Sequence, residues 1–102
     1  MQTTLPFEHL PLHTQAGLKL CWDAIIRAFE KNNLESLQTY ENCVLQDTIE
    51  LLMQGCTSSA QYLKIINTYS SRRIENLPKA QEHLRMIYFK AQAILYDPIN
   101  KK

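Results

Sequence analysis

Histidine side chains are the first groups in this 102-residue chain to consider as metal ligands or pH-sensitive groups. His9 and His13 stand four residues apart, a spacing that puts two ligands on one face of a helix, but Pro11 between them interrupts a helix. His83 is expected at a surface or a helix boundary, with pH sensing as the alternative. No further ligand cluster accompanies them, so the sequence predicts no metal site and no cofactor.

Cysteine thiols are the other reactive groups, and the chain has an odd number of them without C-x-x-C spacing. Cys21 and Cys43 fall among apolar helix positions, where a thiol behaves as a small hydrophobe, and this indicates a reduced, intracellular setting. Cys56 follows Gly55 in a predicted turn and is expected to be the most exposed of the three. No nucleophile elbow or oxyanion-hole motif surrounds any of them, so we expect no enzyme.

Basic residues interleaved with aromatic residues in the second half could contact an anionic partner. They are Arg72, Arg73, Lys79, Arg85 and Lys90, with Tyr69, Tyr88 and Phe89 between them. A solvated helix face is the first interpretation, an acidic protein partner the second and nucleic acid the third. Nucleic acid ranks last because the net charge is only +1 and no groove-reading motif is present.

Charge is distributed unevenly along the chain. Residues 1–51 carry three Lys or Arg and seven Asp or Glu, a net of −4, whereas residues 52–102 carry eight and three, a net of +5. This asymmetry favours folding one half onto the other, or head-to-tail pairing with a second copy. Exposed ion pairs contribute only about 0 to 1 kcal/mol each, so their effect is expected on orientation more than on stability.

Four amphipathic segments, separated at residues 32–33, 55–59 and 76–78, must position these side chains. Thr14 is expected to cap a first helix that reaches about Lys31. Its apolar stripe recurs at steps of four, three and four residues and consists of Leu18, Trp22, Ile25 and Phe29. Asn32 and Glu35 form an N-x-x-E pattern typical of a capping box. The first two segments are therefore either separate helices or one long bent helix.

The remaining segments have clear local start and stop signals. Gly55 is expected to end the second helix, and the hydroxyl residues 57–59 to cap a third that reaches about Asn76. Pro78 fits the first turn of a fourth helix, which Asp97 and Pro98 end. These elements predict an all-α fold, either an antiparallel helical hairpin or a four-helix bundle, with a helical domain over residues 14–97.

The flanking residues do not continue the helical pattern. Residues 1–13 contain Pro6 and Pro11 and are predicted to form an extended arm, which packs along the helices as a strap or docks on a partner. Residues 98–102 form a short basic tail. No segment approaches the roughly 20 apolar residues that span a bilayer, and the first residues lack a signal-peptide pattern, so a cytoplasmic location is expected.

The layout of residues 15–96 resembles that of the phasins, bacterial proteins that coat polyhydroxyalkanoate granules. The resemblance is carried by an aromatic-bearing first helix with LCWD at residues 20–23, and by a long second helix without Pro or Gly. A polar turn TSSAQ at residues 57–61 and a following YLKIIN at residues 62–67 complete it. It implies an oligomer-prone helical protein whose apolar faces adsorb to the polymer while its polar faces meet the cytoplasm.

The sequence therefore predicts a non-enzymatic helical interaction protein of phasin-like kind that forms homo-oligomers. Its expected interaction surface consists of Trp22, Phe29, Tyr62, Tyr69, Arg72 and Arg73. A second hypothesis is a small intracellular adaptor or chaperone that binds a segment of a protein client in a helical groove. A nucleic-acid binder is the third and least favoured.

Overall fold

Four α-helices follow one short 3₁₀ turn in the computed structural model, which describes residues 5–96. The elements are the 3₁₀ turn Pro6–His9, α1 Leu12–Glu30, α2 Leu37–Met53, α3 Ser59–Tyr69 and α4 Pro78–Tyr96. No strand occurs among these residues, and the helices pack against one another around a shared core, which confirms the all-α prediction. The Cα radius of gyration is 13.3 Å, close to the value of about 13 Å typical of a compact 100-residue domain.

A left-handed residue separates α1 from α2. Asn32 has a φ of +53°, and its N–H donates to the carbonyl of Phe29 while the Asn33 N–H donates to Ala28. This is the Schellman arrangement, in which asparagine tolerates the left-handed position that ends a helix. The first two segments are therefore separate helices. The expected capping box at Asn32 is wrong, because Asn32 ends α1 and α2 begins only at Leu37.

Local signals set the turn between α2 and α3 as predicted. Gly55 has a φ of +117°, and the Cys56 N–H donates to the Leu51 carbonyl, so α2 ends in a second Schellman motif. The Ser58 hydroxyl then caps α3 by accepting from the Gln61 N–H at 3.1 Å. The Gln61 side chain accepts in return from the Thr57 N–H at 3.0 Å. Backbone N–H groups at the end of α2 and at the start of α3 thereby have hydrogen-bond partners.

The third helix is shorter than its periodicity predicts, since α3 ends at Tyr69 and not near Asn76. Contacts with residues distant in the sequence hold the α3–α4 connection in place. Asp23 on α1 accepts from the Ser71 N–H at 3.0 Å and from its hydroxyl at 2.7 Å. The Asn67 side chain accepts from the Ile74 N–H at 3.2 Å, and Ile74 is buried. The chain therefore leaves the helix in order to place Ile74 in the core.

The N-terminal segment packs as a strap, although it is not extended throughout. Pro6–His9 forms a 3₁₀ turn, and α1 begins at Leu12 directly after Pro11, so both the predicted extended geometry there and the start at Thr14 are wrong. Phe7 and Leu10 are buried in the core. The predicted basic tail at residues 98–102 lies outside the described residues.

The core contains one polar network, centred on Tyr62 of α3. The Trp22 Nε1 of α1 donates to the Tyr62 hydroxyl at 3.2 Å, and the Thr48 hydroxyl of α2 is hydrogen-bonded to the same atom at 2.7 Å. The Tyr88 ring of α4 lies 5.7 Å from the Tyr62 ring. Burial raises the pKa of Tyr62, so its hydroxyl stays protonated. One side chain thus contacts all three other helices.

Tyr62→Phe is expected to destabilise the fold, because it leaves two buried polar groups, the Trp22 N–H and the Thr48 hydroxyl, without their partner. The free energy of unfolding, measured by urea denaturation, should fall by about 1 to 3 kcal/mol. Adding Thr48→Val to Tyr62→Phe should lower the free energy of unfolding by less than Thr48→Val does in the wild-type protein, since the two side chains belong to one network. Exposed Tyr96→Phe is the control and should stay within about 0.5 kcal/mol of wild type.

Candidate functional site

Two of the residues predicted to form an interaction surface lie inside the bundle. Trp22 and Tyr62 are both 0% exposed and hydrogen-bonded to each other. They cannot contact a partner in this conformation, so their assignment to an exposed surface is corrected to a role in the core. The helical periodicity placed them on an apolar stripe, but periodicity does not say whether the bundle or a partner covers that stripe.

Phe29 and Tyr69 are half-buried at different edges of the bundle. The Phe29 ring lies 5.5 Å from the His83 ring of α4. The Tyr69 ring stacks on Phe7 at 4.2 Å, and its hydroxyl donates to the Glu8 carboxylate. Burial, reinforced by that carboxylate, raises the pKa of Tyr69 to about 12. Both side chains hold neighbouring elements together and present only part of their rings to solvent.

Arg72 and Arg73 lie in the connection between α3 and α4 and are engaged differently. The Arg72 guanidinium pairs with the Glu30 carboxylate at the end of α1. Arg73 pairs with Glu75 at 3.1 Å, and both of those side chains are mostly exposed. The structure therefore does not join the six predicted residues into one continuous surface. Arg72 also lines a cleft.

An apolar stripe on the outer face of α4 was missed in the sequence. It consists of Met86, Phe89, Ala93 and Tyr96, which recur at steps of three, four and three residues, and we call it the α4 stripe. Its large members are about half exposed: Met86 is 58%, Phe89 49% and Tyr96 59% exposed. The opposite face of α4 carries the buried residues Ala80, Leu84, Ile87 and Ala91. The helix is therefore apolar on two sides.

The α4 stripe is shaped as well as apolar. Phe89, Gln92, Ala93 and Tyr96 line a shallow groove in which Ala93 is the smallest side chain. The Phe89 ring packs edge-on against the buried Tyr88 ring, with centroids 5.3 Å apart and planes at 76°. This contact supports Phe89 in an orientation that leaves half of it exposed. The spacing is visible in the sequence, but periodicity alone does not distinguish an exposed apolar stripe from a buried one.

A second feature is a cleft of about 520 Å³ on the outer face of the C-terminal half of α1, which we call the α1 cleft. The α1–α2 connection stands on one side of it and the α3–α4 connection on the other. Its lining includes three cations, Arg27, Lys31 and Arg72, and the aromatic side chain of Tyr40. Asp23 also lines it and is occupied by the two hydrogen bonds from Ser71.

The cysteines are placed contrary to expectation. Cys56, expected to be exposed, is buried in the core, and burial raises its pKa to about 11. Cys43 is exposed and lies near Cys21, so that α2 and α1 bring these two thiols close together. Burial and the nearby Cys43 raise the pKa of Cys21. Raised pKa values keep Cys21 and Cys56 in the thiol form, which is a poor nucleophile.

His83 lies at the boundary of the core on α4, as expected. Its Nε2 atom is buried and has no hydrogen-bond partner among the described residues. Burial lowers the pKa of His83, Lys90 lowers it further, and Glu41 partly opposes the shift. The neutral imidazole is therefore the form that suits the fold.

Within residues 5–96, no group of three or more His, Cys, Asp or Glu side chains could hold a metal ion. No helix in the same range is long and apolar enough to cross a bilayer. Comparison of the chain with protein-family models, with curated proteins and with solved structures gave no match.

Protonation of His83 is expected to destabilise the fold at mildly acidic pH. Its folded-state pKa lies below the unfolded value of about 6.5, so the unfolded chain binds more protons, and stability is complete above that pH and falls below it. The free energy of unfolding, measured between pH 7.5 and about 5 by urea denaturation, should decrease less steeply in His83→Leu. The control Gln38→Leu, at an exposed position without an ionisable side chain, should keep the wild-type slope. Equal slopes in wild type and His83→Leu would contradict the assignment.

Proposed function

We propose that this protein is a non-enzymatic helical interaction protein that binds an amphipathic helix of a protein client along the α4 stripe. The observation that carries the proposal is that α4 is apolar on two opposite faces, while the bundle covers only one of them. A helix that is apolar on its outer face costs solubility, so a covering partner is the physical reason for keeping that face.

The composition of the α4 stripe fits helix recognition. Met86, Phe89, Ala93 and Tyr96 lie on successive turns over about 15 Å of helix, a distance that three turns of a partner helix match. Methionine and aromatic side chains are enriched in interface centres, and methionine adapts its shape to different neighbours. A partner helix with apolar residues at i, i+3 or i+4, and i+7 would fill the groove beside Ala93.

A phasin-like coat protein is the second candidate, and it implies a bacterial protein of the cytoplasm. Large apolar side chains that are exposed elsewhere favour it: Leu12, Leu20 and Met53 are 81%, 72% and 67% exposed. These residues are scattered singly over α1 and α2, whereas those of α4 are continuous. Adsorption through Trp22 or Tyr62 would require the bundle to open and its buried hydrogen bonds to break, which favours the adaptor.

The test is a glutamate substitution in the α4 stripe, Phe89→Glu, compared with Leu12→Glu at an exposed apolar position on another helix. Immobilised wild-type protein captures its client from an extract of the source organism, and the affinity for the identified client is then measured by titration calorimetry. Phe89→Glu should weaken that affinity roughly thirtyfold, the size of a typical interface hot spot, whereas Leu12→Glu should leave it unchanged.

Two further measurements identify competing occupants of the same face. Light scattering would reveal a second copy as the occupant if wild type is a dimer that Phe89→Glu dissociates. Particles of polyhydroxyalkanoate would reveal a coat if they retain the protein. Equal binding of wild type and Phe89→Glu in all three measurements would show that the α4 stripe is not the working surface.

A further inference from the structure

We infer that the α1 cleft is a second binding site and takes an acidic segment of a protein partner, whose carboxylates pair with Arg27 and Lys31 while a neighbouring apolar side chain contacts Leu20. The site lies on the outer face of α1 and shares no residue with the α4 stripe, so the inference does not depend on the proposed function.

The two central cations of the α1 cleft are available for a ligand. Arg27 on α1 and Lys31, the residue that directly follows α1, are one helical turn apart, and both are exposed. Neither forms an ion pair with a carboxylate among the described residues. Side chains at this spacing point in the same direction, so they can hold two carboxylates of one extended segment, or one carboxylate between them.

Asp23, which lines the cleft, and Glu30, which lies beside it, are already engaged in its construction. Both Asp23 carboxylate oxygens accept hydrogen bonds from Ser71, and Glu30 pairs with Arg72. These contacts fix the α3–α4 connection as one wall. Arg27, Lys31 and Arg72 against Asp23 and Glu30 leave a net charge of +1, because three cations face two anions. Because Arg72 and Glu30 neutralise each other, the remaining positive charge lies on Arg27 and Lys31 and exceeds the single negative charge of Asp23. This excess favours an anionic ligand.

An apolar surface lies directly beside these charges. Ala24 and Ala28 on α1 line the cleft one turn apart, and their small side chains leave a depression on the helix surface. Leu20 is 72% exposed at one end, and Tyr40 of α2 offers an aromatic ring and a hydroxyl. A volume of about 520 Å³ is within the range of about 300 to 1,000 Å³ typical of ligand sites. The ligand therefore carries an apolar group next to its acids.

Carboxylates suit this cleft better than phosphates. Phosphate groups are held at helix N-termini, where free N–H groups and the positive end of the helix dipole face the anion. The α1 cleft lies instead at the C-terminal half of α1, whose partial negative charge opposes a multiply charged phosphate more than a single carboxylate. Guanidinium groups also bind carboxylates in a planar, bidentate geometry. An acidic peptide satisfies both the charge and the apolar surface.

The experiment measures fluorescence anisotropy of a labelled peptide with the repeated sequence Glu-Glu-Leu-Glu-Glu-Phe, titrated with the full chain at low salt. Wild type should bind it, and the affinity should fall as salt rises. Arg27→Ala and Lys31→Ala should each weaken binding roughly fivefold, the upper range for an exposed ion pair. Lys19→Ala, an exposed cation on α1 outside the cleft, is the matched control and should bind like wild type.

Several results would overturn the inference. They are absence of binding to wild type, equal binding of a peptide with Gln in place of Glu, and equal binding by the Arg27→Ala and Lys31→Ala variants. Displacement of the peptide by a single-stranded oligonucleotide that binds more tightly would show that phosphate is the preferred ligand. Thermal unfolding of each variant distinguishes a lost contact from a lost fold. Since Phe89→Glu leaves this cleft intact, failure here is separable from failure of the client-binding proposal.

Discussion

The Tyr62 hydroxyl is the constraint on which the packing of this bundle depends. A polar group with no exposure to water must find its partners within the protein, and here they come from Trp22 on α1 and Thr48 on α2. Satisfying them fixes the axial positions of three helices relative to one another, because a shift of one helix by a residue would break the hydrogen bonds. The fourth helix is held against the same ring through Tyr88. Burial of apolar side chains drives the helices to associate, and this hydrogen-bond network favours one arrangement of the helices over others.

Local signals account for the parts of the fold that the sequence predicted well. Gly55 tolerates the positive φ that ends α2, and Pro78 has a fixed φ that suits the first turn of a helix, so the end of α2 and the start of α4 could be placed from residue type alone. The end of α3 could not, because it depends on Asp23, which is 48 residues away from its partner Ser71 in the chain. Likewise, an apolar stripe marks Trp22 as covered without saying what covers it.

The surfaces proposed here lie on the sides of α1 and α4 that face away from the core. Trp22 and Tyr62 stabilise the bundle, whereas Phe89, Arg27 and Lys31 contribute few contacts to it. The residues proposed to contact partners are thus different from the residues that stabilise the core. The two halves of the chain carry opposite net charge, and two ion pairs join them: Glu30 with Arg72, and Glu41 with Lys90. Arg27 and Lys31 have no carboxylate partner among the described residues.

The strap at the start of the chain has a consequence for synthesis on the ribosome. Phe7 and Glu8 emerge before their partner Tyr69, which is made about sixty residues later, since the hydrogen bond between Glu8 and Tyr69 spans 61 positions. Until then Phe7 can contact Trp22 of α1, but it lacks the Tyr69 ring that stacks on it. Vectorial folding therefore proceeds through α1 and α2 before this segment has all its partners, and the segment reaches its final place only after α3 has emerged.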